Sequence, residues 1–487
     1  MSDTNRTAIK FVRETEYGVI PESPALKELR NTGAPGFGYN PTTIESNEIR
    51  PDRQVSDVVT VGAEPGGDIN MELSYETVDD LFEGALQREW EKQYISAAGD
   101  ILSATGTSVV FQTDKNKFVA GDVILANYPN GETVIYTATE ASDDTLTIDK
   151  AFVNADKAAE VTFKKVGFKG ASGDIQALAG EKNGLQSTVL NFKTLGLKEG
   201  QWIKIGNSEI ADNSFVTSAD NGLVRISEIQ EKFLYFSIVP KGWAADDGSG
   251  KTIEFYIGDF LKNAEKVIDP TVTQDIISYT IEQSFLDHKP IDYQYIYGMI
   301  VDSLSMSMTA AAFVELSSTF MGATASATTS RVTGATDISA NDNPVMNTSS
   351  NVAQIARGKS KIEGANYVSD LSLEINNNCR RRNAVGVFGT QSIGLGEFAV
   401  TGTMTTYFSN AELLQTLINN EETSLNYALH DNRKHMYLFD LPRVKYSSGN
   451  PEVGGKNEDV MLSLEYQAIR DGDLGYTLGI TKFDYVN

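Results

Sequence analysis

Residues 66–86 read GGDINMELSYETVDDLFEGAL, and the hydrophobic period changes partway along them. Ile69, Met71, Leu73 and Tyr75 alternate with Asp68, Asn70, Glu72 and Ser74, the period of a strand with one wet face. Beyond Thr77 the apolar residues Leu81, Phe82, Ala85 and Leu86 fall one turn apart, as on a helix running through TVDDLFEGALQREWEKQY. Thr77 and Asp80 form a shortened capping box in front of it.

The same order recurs late in the chain. The alternating run GEFAVTGTMTTY (396–407) leads into SNAELLQTLINNEE (409–422), with Ser409 and Glu412 as a capping box. Leu413, Leu414, Leu417 and Ile418 make its apolar face. Ser409 lies 332 residues after Thr77, and at that offset Tyr75 meets Tyr407. Downstream, SMSMTAAAFVELSSTFMGA (305–323) resembles EDVMLSLEYQAI (458–469). Two copies of one strand–strand–helix–strand–strand unit are therefore expected.

An insert of about 170 residues interrupts the first copy, on the scale of a domain. It is doubled too: KFVAGDVILA, DDTLTID and AAEVTFKK recur in order as GLKEGQWIKIG, EKFLYFSI and GKTIEFYIG. Each set predicts a small β module of short strands and Gly/Asp turns. The expected division is a first domain from 1–96 plus 263–322, and β modules at 97–170 and 171–262. A Ser/Thr/Ala/Asn-rich linker or arm at 323–358 and a second domain at 359–487 complete it. The fold class is mainly β: two tandem sandwich or barrel domains, each flanked by a helix, plus two inserted modules, which are expected to lie at the periphery.

Bulk properties narrow the function. The 487 residues carry a formal net charge of −25, which argues against a general nucleic-acid binder but not against a surface that DNA passes without being held. No run approaches the roughly 18–20 apolar residues of a membrane span, and MSDTNRTAIKFVRETEYG lacks a signal-peptide core, so synthesis in the cytoplasm is expected. Cys379 is the single cysteine and His288, His430 and His435 are the only histidines, so disulfide, zinc and histidine chemistry are thinly supplied.

Candidate motifs dissolve on inspection. DDGSGKT has Ala245 where a phosphate-binding loop needs its first glycine, and a strand-like run follows it. DISANDNP and IRDGDLG lack the calcium-loop spacing and closing Glu. His430 and His435 flank an exposed-looking turn, and no Ser or Cys sits in a nucleophile motif. No catalytic residue, metal or cofactor is expected.

The charge knot EIRPDRQVSD, with Glu48, Arg50, Asp52, Arg53 and Asp57, reads instead as a subunit or domain seam. At the 332-residue offset Arg382 falls on Arg50, so Arg380, Arg381 and Arg382 hold the matching place in the second copy. If the copies alternate around a ring, those arginines could face Glu48 and Asp52 of the next unit and fix register.

The chain resembles a known family, the major tail tube proteins of bacteriophages with long non-contractile tails. The likeness rests on YGVIPESPALKELRNTG, ESNEIRPDRQVSDVVTVGAEPGGDINMELSYETVDDLFEGAL, YVSDLSLEINNNCRRRNAVG, GLGEFAVTGTMTTYF and YLFDLPRVKYSSGNPEVGGKNEDVMLSLEYQAIRD. It covers nearly everything outside the inserts. The resemblance implies a structural virion protein whose sheets join into a β-barrel wall around a lumen that conducts double-stranded DNA. With two tube domains per chain, it implies homotrimeric pseudo-hexameric rings stacked into a tube. It also implies tape measure, tail terminator and tail tip proteins as partners, no membrane, and Asp68 and Glu72 pointing to the lumen. Rival readings are the inner tube of a contractile tail or injection device and, further off, a tail-tip adhesin with carbohydrate-binding modules.

Overall fold

A computed structural model describes residues 3–264, 276–358, 360–361, 367–386 and 388–487. Its strands follow the alternation read above and form the same six-stranded antiparallel meander twice. In the first copy the order is Thr7–Arg13, Tyr279–Phe285, Asp292–Thr309, Glu315–Met321, Gly66–Glu72, Asn31–Gly33. In the second it is Val352–Arg357, Glu422–His430, Met436–Glu452, Met461–Ala468, Ala399–Tyr407, Val368–Asn376. The apolar face of each meander turns inward. Ile69, Met71, Leu304 and Met306 of the first meet Leu373, Ile375, Leu464 and Tyr466 of the second in one continuous core.

The two meanders are also one sheet. Ser303–Thr309 pairs antiparallel with Asp370–Asn376, residue for residue and without a bulge. The long strand Asp292–Thr309 thus belongs to the first copy along its length, and its late half has Glu315–Met321 of the first copy on one side and the second copy on the other.

Both helices are shorter than the periodicity predicts, spanning Asp79–Leu86 and Glu412–Ile418. The first stops because Gln87 turns left-handed (φ +52°), and its amide donates to the Gly84 and Ile277 carbonyls. Neither expected capping box forms. Buried Thr77 spends its hydroxyl on Ser74 Oγ (2.7 Å) and Asn341 Oδ1 (3.2 Å), both outside the helix. At the second helix Asn410 Oδ1 accepts from the Glu412 N–H at 3.0 Å.

The insert contains two cores, one drawn from Ile101 to Phe163 and one from Phe168 to Ile257. The strand Thr162–Lys169 pairs with Asp122–Asn127 on one side and Glu254–Ile257 on the other, fusing both modules into one sheet. The sequence expectation of a peripheral insert misses how it is seated. Trp202, Ile238 and Tyr256 pack on Ala428, Met436, Leu438 and Phe483, so an insert that leaves the first copy covers the outer face of the second.

The early part of the tract expected as a linker or arm covers the outer face of the first copy, while its end, Val352–Arg357, is a strand of the second. Thr324–Thr328 pairs with the long strand, and Thr336–Ile338 runs parallel to Ala25–Glu28. Arg331 lays its fork on the buried Glu282 (Nε and Nη2, both 3.0 Å) and also pairs with Asp337, which meets Lys10 at 2.9 Å. Arg331, with Lys10 beside it, holds the Asp337 carboxyl down at about 2. A depressed carboxylate contributes stability above its ordinary range and loses it as pH falls through the folded value. The strap is therefore expected to loosen between about pH 4 and pH 2. Hydrogen exchange of residues 330–340 across that range checks this, and Asp337→Asn should flatten the profile.

Candidate functional site: the wall sheet and its edges

The polar face of the fused sheet runs across both copies of the repeat. Asp68, Asn70 and Glu72 share it. Thr319 Oγ1 donates to Asp68 Oδ1 and Ser317 Oγ to Asn70 Oδ1, each at 2.7 Å. Glu72 stands directly opposite Glu315 in the ladder. Across the junction the face continues through Ser303, Ser305 and Ser307 to Asp370, Ser372 and Glu374, then Thr401, Thr403 and Glu465. It is a field of hydroxyls with scattered carboxylates, because each strand alternates an apolar residue inward with a small polar one outward.

The edges matter as much as the face. In the second copy Tyr446–Glu452 corresponds to the strand half that carries the junction, and it pairs with Met461–Ala468 on one side only. Asn31–Gly33, which corresponds to part of Val368–Asn376, likewise pairs only with Gly66–Glu72. Among the described residues both outer edges lack a ladder partner. Free strand edges are templates for another chain.

Glu48, Arg50, Asp52, Arg53 and Asp57 lie at the tip of a hairpin, Pro41–Glu45 with Val58–Ala63, that forms its own two-stranded sheet. Arg50 pairs with Asp52 in the same turn (Nη2 to Oδ2 2.9 Å). Arg380–Arg382 form a shorter hairpin with Ser392–Gly394. Arg381 is half-buried and donates to the carbonyls of Pro65 (2.7 Å) and Gly322 in the first copy. No contact within the chain joins these arginines to Glu48 or Asp52; Arg50 holds Asp52, and Arg381 is turned onto backbone.

Nearby, Asn377 Nδ2 reaches the carbonyls of Ala85 and Val301 (2.9 Å each), and the Cys379 N–H donates to Asp302 Oδ1 (2.8 Å). Burial, with Asp302 alongside, pushes the Cys379 thiol up to about 12, which disfavours the thiolate.

The histidines serve structure. His435 Nδ1 lies 2.8 Å from Asp431 Oδ2 while its ring stacks on Tyr75 at 4.2 Å. His288 Nδ1 lies 2.6 Å from Asp292. In DDGSGKT, Asp246 Oδ1 accepts from the Gly248 N–H and Asp247 Oδ1 from Ser249, an Asx-type turn. Among the described residues no group of three or more His, Cys, Asp or Glu is placed to hold a metal.

Sequence reasoning missed the buried charges that tie the C-terminal strand to the first helix and to the insert. Lys482 is buried and meets Asp79 (2.6 Å) and Glu76 (3.1 Å); Lys164 meets Asp259 (2.6 Å) and Asp484. Burial alone would lower Lys482, yet Asp79, Asp484 and Glu76 hold it well above its ordinary value. The partners come from distant parts of the chain, and no local pattern marks them.

No curated protein matches the chain. The sequence model of the family described as "Phage tail tube protein" matches residues 4–468, which takes in both meanders, the insert and the strap. A duplicated, mainly β chain with a patterned polar wall and open strand edges, matched over nearly its whole length, belongs to the phage tail tube protein family.

Proposed function

We propose that three copies of this tail tube protein close a ring of six wall units, and that rings stack into a conduit for double-stranded DNA. The observation that carries this reading is the bulge-free ladder between Ser303–Thr309 and Asp370–Asn376. It is a worked example, inside one chain, of how one wall unit accepts the next. The same join offered by Tyr446–Glu452 to Asn31–Gly33 of a second copy is heterologous, and such joins close when the rotation allows. Six units at two per chain need three chains.

In this reading 1–96 with 263–322, and 359–487 together with the strand Val352–Arg357, form the wall. The modules 97–170 and 171–262 and the rest of the tract 323–358 lie outside it. The polar face, with Asp68 and Glu72, lines the lumen, where carboxylates repel phosphate over roughly a Debye length, about 10 Å at 0.1 M salt. Arg381 works at the seam between units of one chain, and the Glu48–Asp57 knot faces a neighbour. Other tail proteins cap the tube and set its length.

Native mass measurement of isolated rings tests the stoichiometry. Three chains per ring is the expected result; six chains per ring would overturn the pseudo-hexameric closure.

A further inference from the structure

Lys164 is buried between two carboxylates that come from distant parts of the chain. It stands on the insert strand Thr162–Lys169, with Nζ 2.6 Å from Asp259 Oδ2 and in contact with Asp484. The Lys164, Asp259 and Asp484 side chains are 10 %, 2 % and 9 % exposed. Asp259 opens the short strand Asp259–Lys262, which pairs with the C-terminal strand Gly479–Phe483. That strand in turn pairs with Met436–Glu452 of the second meander, and Asp484 follows it directly. Three elements thus bring one amine and two acids to a single dry point.

The second acid is more than an ion pair needs. With Lys482 and Asp79 alongside, the buried cations are outnumbered by carboxylates, which favours a proton on one acid. Asp259 is the one placed to hold it: burial and the nearby Asp484 push its carboxyl up. Burial alone would raise Asp484 too, but Lys164 and Lys482 hold it below its ordinary range. The Gln93 N–H donates to Asp259 Oδ1 at 2.8 Å, which leaves Oδ2 facing Lys164. A carboxyl polarised by a backbone amide, an amine against its other oxygen and a second carboxylate on that amine are the parts of an amide-forming centre.

We infer that Lys164 and Asp259 join in an isopeptide bond, with Asp484 as the proton carrier. Asp484 takes a proton from the Lys164 ammonium, and the freed lone pair of Nζ attacks Cγ of protonated Asp259. Charge that builds on Oδ1 meets the Gln93 N–H. The Cγ–Oδ2 bond breaks, and Oδ2 leaves as water with its own hydrogen and one relayed from Nζ through Asp484. Asp484 keeps one proton, and nothing is oxidised or reduced. Contact between the groups supplies the proximity that amide formation lacks in free solution.

Two neighbouring lysines lack part of this arrangement. Lys165 lies 2.7 Å from Asp122 and is as well buried, but no second carboxylate reaches it among the described residues. Lys482 meets Asp79 and Glu76, but Glu76 is half exposed, so that site is open to water. Both are expected to stay unlinked. The Lys164–Asp259 bond encloses the second module between its two ends. A pull passed from the first module to the second meander would then bypass that module.

The intact mass of the purified, denatured chain tests this. One water below the mass of the sequence is the expected value. Digestion should release a branched peptide joining Lys164 to Asp259, with no tryptic cut after Lys164. Asp484→Asn, folded as judged by circular dichroism, should return to full mass, and so should Lys164→Arg, which keeps the charge. A wild-type chain at full mass overturns the bond, whatever the ring stoichiometry. A branch at Lys165 or Lys482 instead, or an undiminished bond in Asp484→Asn, overturns the assignment of this centre.

Discussion

Arg225→Met should destabilise the chain by about 3–5 kcal/mol, the cost of leaving a buried charge without its partner. Arg225 lies in the second inserted module and places Nη1 3.2 Å from both oxygens of Asp440 in the second meander. Both side chains are buried, at 8 % and 1 % exposure. Burial already pushes the Asp440 carboxyl above its ordinary range, with Arg225 opposing the rise. After the substitution the Tyr476 hydroxyl (2.9 Å), with the Trp202 indole beside it, is left to support the carboxylate. Chemical denaturation measures the loss. Arg225→Met combined with Asp440→Leu should recover most of it, since replacing a whole buried pair by apolar groups is often neutral. If the single substitution costs less than about 1 kcal/mol, the module is not braced through this pair. Trp202 and Tyr256 cover the outer face of the second meander, so the insert braces that meander.

The wall was legible in the sequence to the extent that alternation is legible. DINMELSY and DVMLSLEYQA announce a wet and a dry face, and the 332-residue offset pairs one unit with the other. Period two, however, names the face of a strand and not its neighbour. That Ser303–Thr309 would ladder with Asp370–Asn376 follows from the shared core of Leu304, Met306, Leu373 and Ile375, which is a tertiary fact. The helix ends failed for a related reason. Thr77 has the chemistry of a cap, but burial beside Ser74 and Asn341 gave its hydroxyl better-placed partners. The strap reads in the sequence as a linker or an arm because it is rich in Ser, Thr, Ala and Asn. Those residues hydrogen-bond it in place instead: Asn341 and Asn343 both donate to the Tyr75 carbonyl, at 2.8 and 3.0 Å. Charges such as Lys482 and Arg225 leave no local signature, because Asp79 and Asp440 reach them from distant parts of the chain.

Reversing two carboxylates on the polar wall face, Glu374→Lys with Glu465→Lys, should turn a tube that ignores DNA into one that holds it. Both residues are exposed, and their cross-strand neighbours Thr401 and Thr403 are small, so the fold tolerates the longer side chains. Asp68, Glu72, Glu315, Asp370, Glu374 and Glu465 are among the carboxylates of each chain on this face, with Lys445 opposite Gln467 near one end. In a ring of three the double variant replaces six of these eighteen carboxylates by lysines, which brings the charge from these positions from −18 to −6. Six lysines reaching phosphate would give a slope of about −5 in log K against log salt, at roughly 0.9 per contact. Wild-type tubes should retain no DNA under the same conditions. Sedimentation of tubes with linear double-stranded DNA measures retention, and nuclease protection reports whether the DNA lies inside. Retained DNA that stays nuclease-sensitive would put this face on the outside of the tube, and variant tubes that bind none would remove it from the DNA path. Protected, salt-sensitive DNA is the outcome expected of a lumen kept acidic because weak attractions, repeated at every ring, would otherwise stall a moving duplex.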